Sequence, residues 1–172
     1  MSRAMASDAA DTPGTVRTAG NQPMERRELE FGDFEEVLAE VERLRAGGYT
    51  RASQWNLAQI CDHLAYFIEG SLDGYGFRAP WLLKVIFGGF MRRRILNTRR
   101  MKAGVPTPQT PLPPPETDEA EAVKRLETAI ARFRQRRAEF RPSPFFGALS
   151  PEQWRTMHLV HCAHHLGFLL PK

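Results

Sequence analysis

The stretch that most constrains this chain is its last, Ser150 to Leu170, reading S-P-E-Q-W-R-T-M-H-L-V-H-C-A-H-H-L-G-F-L-L. It opens as helices do. Ser150 can cap, Pro151 suits the first helical position, and Gln153 at the third can reach back. Met157, Leu159, Val160, Cys162, Ala163, Leu166, Phe168 and Leu169 make the helix apolar on nearly every side, which predicts burial. Four of the chain's five histidines lie in it: His158, His161, His164 and His165. A fold that buries this helix must also find partners for its imidazoles.

At 100° per residue His158, His161 and His165 fall within one arc, while His164 points away. His158 and His165 stand roughly 10 Å apart along the axis, too far to share one ion. His161 can pair with His158 at i,i+3 or with His165 at i,i+4, and it is common to both options. The plainer alternative is a set of core histidines bonded to backbone or carboxylates, because His-xxx-His is a loose pattern.

A chain of 172 residues supports one domain with a sizeable core. Its net charge of +4 is modest, but Arg92 to Lys102 holds six cations and no acid. Two cysteines, Cys61 and Cys162, are too few for a disulfide framework and read as small buried thiols in a reducing compartment. There is no apolar core of signal-peptide length at the start and no run of about eighteen apolar residues. The expectation is a cytoplasmic protein.

Met1 to Met24 lacks periodic apolar residues and reads as a disordered tail, leaving 25–172 as the domain. After the lead-in R-R-E-L-E-F, the D-F-E-E pattern at Asp33 and the spacing of Phe34, Val37, Leu38, Val41 and Leu44 predict a first helix that ends at Gly47-Gly48. Asn56 with Gln59 caps a second, ending near Gly70, with Leu57, Ile60, Leu64 and Ile68 as its apolar stripe and His63 at the stripe's edge. Pro80 to about Met101 reads as an apolar helix, interrupted near Gly88-Gly89, with a basic end. Core packing is its plainer role, and a seat on an anionic membrane surface is the sharper one. Six prolines between Pro106 and Pro115 exclude helix and predict an extended crossover. Thr117 to about Phe140 reads as a long amphipathic helix with a stripe of Ala122, Leu126, Ile130 and Phe133. With no convincing strand, the fold class is all-α, a helical bundle with one extra apolar helix and a long proline-rich crossover.

R-R-E-L-E-F with its following helix, W-N-L-A-Q-I-C-D-H-L, the proline-rich crossover, F-F-G-A-L-S-P-E-Q-W and H-L-V-H-C-A-H-H-L-G-F-L together resemble the DinB/YfiT-like superfamily, and most of all a bacterial branch described as a domain of unknown function. The resemblance runs from about Arg26 to Leu170. It implies a four-helix bundle in which one histidine of the second helix and two of the last, here His63, His161 and His165, hold a divalent metal. Members of this kind include S-transferases and isomerases that use low-molecular-weight thiols. Leu166-Gly167-Phe168 departs from the Arg-Gly-Gln that tends to follow the final histidine.

Three imidazoles leave coordination positions open, which suits a catalytic ion, and zinc, nickel, iron or manganese would each fit. The leading expectation is a metal-dependent thiol S-transferase or hydrolase acting on a small electrophile. His158 is the candidate proton carrier, and Asp62 and Glu69 are candidate outer partners of the ligands. From a different class comes a non-enzymatic bundle that binds a small apolar ligand, a partner or a membrane surface; a homodimer is a separate expectation, open under either reading. Nucleic acid is not expected, because no aromatic platform is interleaved with the basic run.

Overall fold

Three of the helix starts read from the sequence are built by their own side chains in the structure, a computed structural model that describes residues 26–77, 81–102 (backbone alone over 81–87) and 113–172. The N-terminal tail and most of the proline-rich crossover lie outside the described residues. Asp33 accepts the Glu36 N–H and starts α1 (Phe34–Gly47). Asn56 and Gln59 form both halves of a capping box on α2 (Leu57–Asp73), as do Ser150 and Gln153 on α5 (Pro151–Leu166). Between them lie α3 (Trp81–Thr98) and α4 (Glu119–Gln135). No described helix is long and apolar enough to cross a membrane.

The described chain is mostly helical, and its helices share one core. Val37, Val41 and Leu44 of α1, Leu57, Ile60, Leu64 and Ile68 of α2, Leu126 and Ile130 of α4, and Leu159 and Leu166 of α5 are almost wholly buried. Each such side chain contributes about 1.5–3 kcal/mol by leaving water. Along α2 they recur every three or four residues, and α2 packs chiefly on α4 and then on α5. Arg125 of α4 reinforces the first contact by donating to Asp62 at 2.5 Å and to Glu69 at 2.6 Å, both on α2. α3 reaches the core through Ile95 and packs on α5.

Several boundaries differ from those expected. α3 is continuous through Gly88-Gly89 and stops where Arg99 adopts φ 52°. α2 runs past Gly70 to Asp73. α4 starts after Asp118, whose side chain takes the Glu121 N–H, and ends at Gln135 because Arg136 turns extended; Phe140 then folds back onto Phe133. The last helix closes at Leu166, with the Gly167 N–H bonded to the Ala163 carbonyl. Leu169–Pro171 leaves it as β2, paired antiparallel with β1 (Tyr49–Arg51), Thr50 opposite Leu170. This two-stranded sheet corrects the expectation of no strand. Three residues are too few to show the alternation that betrays a strand, and the partner lies far off in the sequence. The lead-in segment closes the same end: Arg27 donates its N–H to Gly167 O at 2.9 Å and its Nε–H to Leu169 O at 2.8 Å, and its guanidinium pairs with Glu40.

Candidate metal centre

Two helices carry the candidate ligands. α2 presents His63 one turn beyond Gln59, where the capping box has already fixed the start and register of the helix. α5 presents His161 and His165 four residues apart on one face. Packed against each other, the two helices bring one nitrogen of each of the three rings within 4.8 Å of the others. Ring centroids lie 5.1 Å apart for His63 and His161, 4.6 Å for His63 and His165, and 4.6 Å for His161 and His165.

Aromatic rings wall the cluster. Trp55, in the loop before α2, stacks on His165 at 5.5 Å and lies 4.8 Å from His63. Phe67 stands 4.8 Å from both His63 and His161. Its own backbone carbonyl accepts the Tyr75 hydroxyl at 2.8 Å, which props this wall from behind. Gly70 makes that prop possible, because a Cβ there would lie 2.3 Å from the Tyr75 ring.

Burial keeps all three imidazoles neutral at neutral pH. It pushes His63 down to about 4, against a small upward pull from Asp62. His161 and His165 are held well below the usual histidine range, first by burial and then, for His161, by His165 and His63 and, for His165, by His63 and His164. A neutral imidazole offers the lone pair that a metal needs. His63 Nδ1 is moreover buried with no hydrogen-bond partner among the described residues, an arrangement that costs about 1–3 kcal/mol unless something fills it. Three nitrogens converging from neutral rings, in a cluster that also holds the unpartnered His63 Nδ1, fit a divalent ion, so the triad can hold one.

The sequence model of a family described as "Protein of unknown function (DUF1569)" matches residues 24–172. The chain belongs to the DUF1569 family. No curated protein and no solved structure matches it.

The other residues singled out from this DUF1569 sequence have different places. His164 points off the triad's face, where Nδ1 lies 2.7 Å from an Arg26 guanidinium nitrogen and the ring packs on Phe168. His158 lies outside the cluster, stacked on Trp154 at 5.1 Å and edge-on to Phe133. Its Nε2 is 3.1 Å from Ser71 Oγ on α2. Ser71 gives its single hydroxyl proton to Ile68 O at 2.6 Å, so His158 donates, neutral, from Nε2. Burial pushes His158 down to about 3. Asp62 and Glu69 do not back the ligands, as Arg125 engages both. Cys61 and Cys162 are buried free thiols whose ionisation burial opposes, with Cys61 pushed up to about 12. Neither Trp55 nor Phe67 has a spacing that marks it in the sequence as part of a site. Trp55 is signalled in the sequence by its place inside the W-N-L-A-Q motif.

Proposed function

We propose that His63, His161 and His165 hold one divalent ion (zinc, nickel, iron or manganese), and that the chain is a metal-dependent enzyme of DinB/YfiT-like type. In this proposal α1, α2, α4 and α5 are the four-helix bundle, α3 is the extra apolar helix, and the proline-rich stretch is the crossover from α3 to α4. The reaction is transfer of a low-molecular-weight thiol to a small electrophile, or hydrolysis of that electrophile. The observation that carries it is the convergence of three imidazole nitrogens, one from each ring, within 4.8 Å of one another.

When bound, a divalent ion supplies Lewis acidity, which lowers the pKa of a thiol or water at neutral pH. The chain's own residues do the rest. The three rings present neutral nitrogens over the working pH range, and Trp55 and Phe67 exclude bulk water and offer flat apolar walls to a substrate. His158 serves as a positioning residue. Its bond to Ser71 ties α5 to α2, the two helices whose relative placement sets the triad. With that Nε2–H given to Ser71, no proton transfer is assigned to it.

The test is a screen of metal-containing protein against small electrophiles with several thiols. Turnover is expected in the wild type and absent in His161→Ala, while His158→Gln keeps its metal with kcat lowered and KM little changed. Undiminished turnover in metal-free His161→Ala would sink the mechanism. Metal-holding wild type inert with every thiol and with water would assign the chain to the non-enzymatic, ligand-binding class.

A further inference from the structure

We propose that α3 seats this chain on an anionic phospholipid surface through the exposed face that carries Phe90, Arg93 and Arg94. The inward face of α3 is fixed by three contacts. Ile95 is 4% exposed in the core. Gly88 sits so close to the loop before α5 that a Cβ would lie 3.0 Å from the Phe145 carbonyl oxygen. Arg92 reaches the same loop, donating to Ala148 O at 3.3 Å. At 100° per residue Gly88 and Ile95 share one direction, and Phe90 points the opposite way.

That opposite face is unlike the rest of the described surface. Phe90 is 75% exposed, the one large apolar side chain so exposed among the described residues. Arg93 and Arg94 flank it on the next turn, both exposed and with no carboxylate partner among the described residues. In the sequence, residues 81–91 hold a single charge, Lys84, and the cations gather after them. Residues 81–102 contain seven Lys and Arg and no acid. The helix is therefore apolar in its first half and cationic in its second. An interfacial helix uses this division, with aromatic and aliphatic groups at the acyl boundary and guanidinium groups among headgroup phosphates. A surface seat, not a span, is what α3's length and hydropathy allow.

A second copy of the chain fits this face poorly. Paired parallel, the arginines of the two copies meet; paired antiparallel, each apolar half meets a cationic one. Nucleic acid would use the arginines but leave Phe90 without a role.

The full-length, tag-free chain should be sedimented with vesicles of phosphatidylcholine alone and of phosphatidylcholine mixed with phosphatidylserine. Co-sedimentation is expected with the mixed vesicles only, weakening as salt is raised. Arg93→Gln combined with Arg94→Gln should lower the partition coefficient about thirtyfold, and Phe90→Ser about tenfold, with melting curves unchanged. If a variant misfolds, the wild-type comparison of the two vesicles decides alone. Binding to neither vesicle, equal binding to both, or unchanged binding by the folded double variant would overturn the proposal. So would a vesicle-free dimer abolished by Phe90→Ser, or preference for a duplex oligonucleotide over mixed vesicles.

Discussion

Lowering the pH from 7 to 4 should destabilise the metal-free chain chiefly through its buried histidines. Above pH 6.5 these rings are neutral in both the native and the unfolded chain, so they confer no pH dependence. As the pH falls below 6.5 the unfolded chain takes up protons, while native His63 resists until about 4 and native His158 until about 3. Stability therefore falls with falling pH throughout that window. Each pH unit costs about 1.4 kcal/mol per histidine, so by pH 4 these two lose about 3 kcal/mol apiece. That sum is comparable with the whole stability of a small domain. Glu40, held below its usual value by its bonds to Arg43 and Arg27 against the opposing effect of burial, adds a loss of the same sign, but only below about pH 4.5. The two contributions are thus separable. Urea unfolding of chelator-treated protein at several pH values, followed by circular dichroism, measures the slope. His158→Gln removes one titrating ring and should flatten the slope between pH 6 and 4 by about 1.4 kcal/mol per unit. Identical slopes in wild type and variant would refute the claim that this ring is buried neutral.

Two further outcomes follow from the geometry about the triad. Because Trp55 stacks on His165 at 5.5 Å, titrating nickel or cobalt into metal-free protein should quench its fluorescence, and Trp55→Phe should remove most of the quench; an undiminished quench in that variant would place the metal elsewhere. Gly70→Ala drives a Cβ into the Tyr75 ring and should cost about 1–3 kcal/mol by overpacking; a neutral result in urea unfolding would mean that Tyr75 does not sit where it props Phe67.

What could be read from the sequence was what is local. Asp33, Asn56 and Ser150 announce their helices because a capping side chain bonds its own backbone two or three residues on. His161 and His165 declare a shared face through helical spacing alone. His63 needed more, since nothing local distinguishes a ligand from a core histidine. Its place opposite α5 came from the family resemblance, and the structure brings the three together. What the spacing hid was tertiary. His158 shares an arc with the triad, yet its nearest hydrogen-bonding group proved to be Ser71 on the facing helix. Asp62 and Glu69 share α2 with His63 but turn to Arg125 on α4. The β1–β2 pair joins Thr50 to Leu170, a contact for which three-residue strands carry no periodic signal.

Metal content is the most direct test of the triad. Protein purified without a histidine tag, equilibrated with zinc, nickel, iron or manganese and then desalted, should carry one divalent ion per chain by elemental analysis. His164→Ala should keep that ion, since its ring faces Arg26, while His63→Ala, His161→Ala and His165→Ala should each lose it. Full metal retained by all three of these variants, or none taken up by the wild type, would contradict a metal centre built on His63, His161 and His165.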